Sequence, residues 1–177
     1  MKITTKQLRS IIKEEISRLH EMGWHNSSKL DMLDAAMADG WGFGPTVKGS
    51  ALAKGMKVAG IYRATNAGLD FYEVLGVTDD TQKYGEGGVA FDSVKECMAA
   101  KGVKSLKALE ELQRKNEYGM SSYLVVRDIV TGEEGPWFYL FGGRWCRGSG
   151  AEALTFITIT AEAPAPEGDE PRRGHYS

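Results

Sequence analysis

His20 and Glu21 followed by His25 bring together the residue types of a zinc-protease helix, where two imidazoles four residues apart share one face and the glutamate acts as base. Here the histidines are five apart and Gly23 falls between them, so they define no metal site. Gly44-Pro-Thr-Val-Lys48-Gly49-Ser50 holds the letters of a phosphate loop. Its lysine precedes the second glycine, however, and would not project from a helix start onto phosphates. Gly85-Glu-Gly-Gly88 lacks the dinucleotide spacing and places a carboxylate where phosphate would sit. No catalytic set, cofactor or metal is therefore assigned.

Cys97 and Cys146 lie far apart, match no metal or redox spacing, and read as two buried thiols. Cys146 as a nucleophile would need a histidine base, and His20, His25 and His175 all fall in segments expected to stand off the folded body. Asp70, Glu73, Asp79 and Asp80 lie along or just after a strand, where a paired acid and base can be built. A solvated strand edge and turn accounts for them more simply. An enzyme reading would rest on Asp70, Glu73, Arg63 and Cys146. Trp137-Phe-Tyr-Leu-Phe141, followed by Arg144, Trp145 and Arg147, is the most suggestive stretch of the body. Trp137, Tyr139, Arg144 and Trp145 could form a platform on which a peptide, a glycan or single-stranded nucleic acid stacks. Core packing of a central hairpin strand is the rival explanation.

The elements that must position these residues follow from pattern. Strands are expected over 56–63 and 69–78, joined by the turn-rich Ala64-Thr-Asn-Ala-Gly68. A second hairpin runs from 122–130 through Thr131-Gly-Glu-Glu-Gly135 to 137–141. Residues 154–160 alternate Thr with apolar residues as a last strand. Two helices, 93–101 and 105–116, lie between the hairpins. A short helix follows the Ser27-Ser28 cap, and Trp41-Gly-Phe-Gly-Pro45 breaks regularity. The fold class is α+β: a small antiparallel, barrel-like sheet of about five strands with an inserted helical pair and an N-terminal amphipathic helix.

The chain has 177 residues, enough for one domain with attachments. These divide as a leader or docking helix over 1–21, a short helix and loop over 22–50, the α+β body over 51–162, and a solvated, disordered tail over 163–177. Its 22 glycines, well above the roughly 7% of average usage, fit a turn-rich β body. No apolar run approaches the ~18 residues of a membrane span. The mixed segment after Lys2 is no signal peptide, so synthesis in a cytoplasm is expected. Residues 1–21 carry a net charge of +2 and the remainder −4, which disfavours a general nucleic-acid binder.

In the opening Met1-Lys-Ile-Thr-Thr-Lys-Gln-Leu-Arg-Ser-Ile-Ile-Lys-Glu-Glu-Ile-Ser-Arg-Leu-His-Glu21, Thr4 and Gln7 form a capping box. Leu8, Ile11, Ile12, Ile16 and Leu19 share one helical face, and Gly23 supplies the stop. Central Glu14 and Glu15 exclude a transit peptide, and an apolar face without Trp or Phe argues against membrane adsorption. A helix of this length is marginal alone. It must pack on a partner or on its own body.

This segment resembles the short leaders on proteins of large tailed phages of the T-even type. The resemblance covers residues 1–21. It implies a helix that targets an internal protein to the assembling head and is then removed by a protease that cuts after Ile or Leu, any residue, then Glu. Leu19-His20-Glu21 fits that pattern. On this reading the chain is a non-enzymatic virion or head-internal protein, in the host cytoplasm during assembly and then in the virion. It would dock on phage capsid or scaffold proteins through Leu8, Ile11, Ile12, Ile16 and Leu19, steered by Arg9, Lys13 and Arg18. The alternatives are a soluble binding module using the aromatic and arginine platform, or an enzyme delivered with the particle.

Overall fold

The computed structural model describes residues 4–20, 26–62, 67–116, 120–166, 168 and 170–177, with the side chains of 15–20 and 26–30 left aside. The first helix, α1 (Thr5–His20), starts where the capping box places it. The Gln7 amide donates to Thr4 Oγ1 at 3.1 Å, and the Thr4 amide donates back to Gln7 Oε1 at 3.0 Å. Helix α2 (Asn26–Ala38) ends at Gly40, whose positive φ of 111° suits glycine. A Cβ there would lie 2.8 Å from the Pro164 ring, so the same glycine admits a later segment of chain.

The strands are β1 (Gly42–Val47), β2 (Lys57–Tyr62), β3 (Gly68–Thr78), β4 (Val89–Phe91), β5 (Leu124–Asp128), β6 (Glu134–Phe141), β7 (Arg144–Arg147), β8 (Glu152–Ala161) and β9 (His175–Tyr176). Both expected hairpins form, β2 with β3 and β5 with β6. All pairings are antiparallel and run β8-β2-β3-β5-β6-β7, with β7 returning to β8. The hydrogen-bonded path thus closes into a ring of pairings, and the barrel-like expectation goes no further than that ring. The long strands β3 and β8 outlast their ring partners. β4 and β9 extend the pairing of β3, and β1 extends that of β8.

The class is α+β, with nine strands among the described residues rather than about five. Three of the added strands, β4, β7 and β9, have two to four residues, too few to show a period of two. The fourth, β1, lies in the stretch expected to be irregular. Its Gly44-Pro45 falls in a register shift between Phe43 and Thr46, one of the few places where a strand tolerates proline.

Strand alternation builds two cores. Val58, Tyr72, Val74, Leu124, Val126, Phe138, Leu140, Leu154 and Phe156 point into the ring. Gly60 opposes the Tyr72 ring there, where a Cβ would lie 2.9 Å from Cε2. Helices α3 (Val94–Ala100) and α4 (Leu106–Arg114) add Val94, Cys97, Met98 and Leu109 to this inner core. They are N-capped by Ser93 and Ser105, whose hydroxyls accept the Glu96 and Ala108 amides at 3.0 Å. On the opposite face Ala59, Ile61, Leu69, Phe71 and Ile157 meet α1, α2, Trp41 and Phe43.

The stretch expected to be a disordered tail, 163–177, completes this outer core. Ala163 and Tyr176 are buried and β9 pairs with the start of β3. Composition missed it because one aromatic side chain and one arginine supply the anchoring. Arg172 donates to the carbonyls of Ile129 and Ala163 at 3.1 and 3.2 Å.

Phe71 lies at the centre of the outer core, stacked on Trp41 with centroids 3.7 Å apart. Phe71→Ala is expected to cost about 3–5 kcal/mol. Phe141→Ala, at an exposed position, should change stability by no more than about 0.5 kcal/mol. Urea denaturation of the two variants checks the contrast.

Candidate functional site

Two sets of residues carry functional possibilities: the face of α1 and a charged cluster at one end of the ring. Leu8 and Ile12, four residues apart on α1, are buried against the outer core and Ile11 is half-buried. Arg9 Nη2 lies 3.1 Å from Asp34 on α2, both exposed, and Lys13 is exposed. Among the described side chains, Leu8, Ile12 and in part Ile11 seat the helix on its own body, with one solvated ion pair beside them. The side chains of Ile16, Arg18 and Leu19 and the whole of Glu21 lie outside the described residues, as do His25 and Arg63.

The cluster is built on Asp70 of β3. Asp70 and Tyr72 are two residues apart on one strand, so both project to the inner face. The Tyr72 hydroxyl donates to Asp70 Oδ2 at 3.3 Å, and Arg147 of β7 donates to the same oxygen at 2.8 Å. The other oxygen, Oδ1, lies 2.6 Å from His175 Nδ1 of β9. Tyr62 of β2 closes the group: the Arg147 guanidinium lies 4.1 Å from its ring centroid and the His175 ring stacks on it at 6.4 Å. Glu152 of β8 lies 3.8 Å from Arg147 Nε. Burial, reinforced by the Asp70 charge, pushes the Tyr72 phenol far above its ordinary range, and the same two causes raise Tyr62.

A carboxylate that orients an imidazole is half of a general acid–base site. Here the carboxylate's oxygens are taken up by a guanidinium, a phenol and the imidazole. Those three donors and Tyr62 come from four strands, so the arrangement works as a clasp. Of these five residues, the sequence pointed to Asp70 as part of an acid–base pair and to Arg147 beside the aromatic stretch, without bringing the two together. Arg147 sits on a strand too short to show, and His175 lies in the stretch expected to be solvated, so the expectation of no histidine in the folded body is corrected.

The proposed platform does not assemble on one face. Trp137 and Tyr139 lie on the outer face of β6, opposite the buried Phe138 and Leu140. Trp137 packs with Tyr84 and Tyr123, at 6.1 and 5.6 Å between centroids. Trp145 is 1% exposed in the inner core, its indole N–H donating to the Gly49 carbonyl at 3.0 Å. Arg144 donates to Thr155 Oγ1. Core packing thus claims Trp145, because β7 turns it inward.

The remaining chemistry-bearing candidates are spent on one another. Glu73 faces Arg127 at 3.4 Å, and Asp79 and Asp80 each hold Lys101 at 2.8 Å. Both thiols are buried, and burial is the main cause raising each, away from nucleophilic thiolate. Among the described residues no group of three or more His, Cys, Asp or Glu side chains could hold a metal. No helix among them is long and apolar enough to cross a membrane.

No family model, curated protein or solved structure matches the chain.

Tyr72 and Tyr176 set the alkaline behaviour. Tyr176 is raised by burial first and by its bond to Asp39. Both phenols stay protonated in the fold at pH values where unfolded tyrosines ionise. The unfolded state therefore binds fewer protons above pH ~10, and stability falls as pH rises from there toward the folded values. Urea midpoints between pH 8 and 11 should decline, and Tyr72→Phe should flatten the decline.

Proposed function

We propose that the protein is a bacteriophage virion or head-internal component, non-enzymatic, addressed by its N-terminal helix to capsid or scaffold proteins. The observation that supports this reading best is the manner of attachment of α1. The helix carries its own cap and rests on the body through Leu8 and Ile12, with Arg9 and Lys13 outward. Burying two such side chains is worth about 1.5–3 kcal/mol each. A helix of this length is barely stable by itself, so part of that gain goes into holding it helical. A partner groove that takes the stripe of Leu8, Ile11, Ile12, Ile16 and Leu19 would compete with the intramolecular seat for Leu8 and Ile12. Basic Arg9, Lys13 and Arg18 favour an acidic rim on that groove.

The body supports a structural role from the other side. Asp70, Glu73, Asp79 and Asp80 are held in ion pairs with Arg147, Arg127 and Lys101, and Cys97 and Cys146 are buried, an arrangement compatible with a scaffold. The reading places the protein in the host cytoplasm during assembly and afterwards in the virion, with α1 removed after Leu19-His20-Glu21.

Mass spectrometry of the protein from mature particles checks this. The expected first residue is Met22. Peptides that include Met1 to Arg9 in the mature particle would overturn the processing step. The protein's absence from particles would overturn the assignment.

A further inference from the structure

We propose that the groove between the end of α2 and the start of β3 is a peptide-recognition site, and that residues 170–177 are its tethered occupant. The partner it fits is an extended peptide with an arginine and then a histidine–aromatic pair. This goes beyond the proposed function and does not depend on it.

The resident segment is bound as a peptide ligand would be. His175 and Tyr176 pair with Asp70 and Leu69, adding a strand to backbone of β3 that β5 leaves uncovered. Main-chain pairing of this kind gives affinity, and alternate side chains give specificity. Tyr176 enters the outer core at 1% exposure, edge-on to Phe71 at 5.8 Å, with its hydroxyl donating to Asp39. His175, on the opposite side of the strand, meets Asp70. Arg173 lies over the Tyr176 ring at 4.2 Å, and Arg172 lies 3.3 Å from Glu162. A basic, aromatic segment thus sits among Asp39, Asp70 and Glu162, with its charges complemented.

The tether is loosely applied. Between Ala163 and Arg172 the sequence is Pro-Ala-Pro-Glu-Gly-Asp-Glu-Pro, without a large apolar side chain. A cavity of about 500 Å³ lies beside it, lined by Asp39, Pro164, Pro166, Pro171, Arg173 and Tyr176 among others. Among the described residues, buried Ala163 and the Arg172 contacts anchor the two ends of this span. Such a segment can leave by a local opening while the ring of strands stays intact. A flexible tether holds its ligand at an effective concentration near millimolar, so a competing peptide binds the intact chain weakly and a chain with a weakened occupant much more tightly.

The test uses full-length Tyr176→Ala and the synthetic peptide Glu-Pro-Arg-Arg-Gly-His-Tyr-Ser. The peptide should bind the variant at least about tenfold more tightly than wild type. It should also raise the variant's Tm, and the same peptide with its tyrosine replaced by alanine should do neither. If Tyr176→Ala does not fold, Arg172→Ala, which keeps the tyrosine pocket filled, serves with the same readouts. Absence of saturable binding by a folded variant would overturn the proposal. So would equal binding of the alanine peptide, or self-association of the variant in place of peptide capture.

Discussion

Strand β3 has to satisfy two cores at once. Leu69 and Phe71 face outward into the cluster that receives α1, α2 and the 162–177 segment, while Tyr72, Val74 and Val77 face into the ring. Its backbone pairs with β2, β5, β4 and β9. A strand buried on both faces tolerates no slip, because a shift of one residue would send Phe71 into the ring and Tyr72 out of it. Its register therefore fixes where Asp70 stands, and with it the positions of Arg147 and His175. The register shift between Val74 and Gly76 keeps Val77 in the inner core, where it pairs with Leu124 of β5 and Phe91 of β4 at once.

The Asp70 clasp draws on that register. Side chains from β2, β3, β7 and β9, far apart in sequence, converge on one carboxylate that is 14% exposed. Removing a partly buried carboxylate from water is costly, and the donors from Arg147, Tyr72 and His175 offset that cost. The clasp also couples the closure of the ring to the seating of residues 170–177, since Arg147 belongs to the closing strand and His175 to the added one. Asp39 plays the equivalent part at the end of α2 by accepting the Tyr176 hydroxyl.

Sequence reading captured the elements that carry strong local signals. The capping box of Thr4 and Gln7, the two helices between the hairpins and the hairpins themselves rest on short-range chemistry and appear where that chemistry puts them. The closing of the ring was not legible beyond a general barrel-like expectation, because it depends on β7, four residues between two turns, pairing with a strand that begins at Glu152. The two readings of Trp145, platform or core, could not be separated for the same reason: the choice depends on the register of β7, which turns it inward. Residues 163–177 were misread because composition averages over a segment. A single tyrosine in a preformed pocket, with an arginine aimed at two carbonyls, outweighs a dozen polar neighbours.

The two cores differ in how they can open. The inner one is enclosed by strand ladders that close on themselves, so exposing Phe138 or Phe156 requires breaking the ring. The outer one is closed by segments from opposite ends of the sequence, Leu8 and Ile12 on one side, Ala163 and Tyr176 on the other. Among the described residues the first is held by Leu8 and Ile12 with the exposed Arg9–Asp34 pair, worth about 0–1 kcal/mol. The second is held by Ala163, Tyr176, the β9 pairing and the contacts of Arg172 and His175. Neither segment belongs to the closed ring of pairings, so a local opening of the outer core need not break that ring. Detachment exposes Trp41, Phe43 and Phe71 in part while leaving the scaffold that positions them intact. Recognition by exchange needs that combination, a rigid apolar face under a weakly held cover, and the division of this sheet into a closed side and a capped side supplies it.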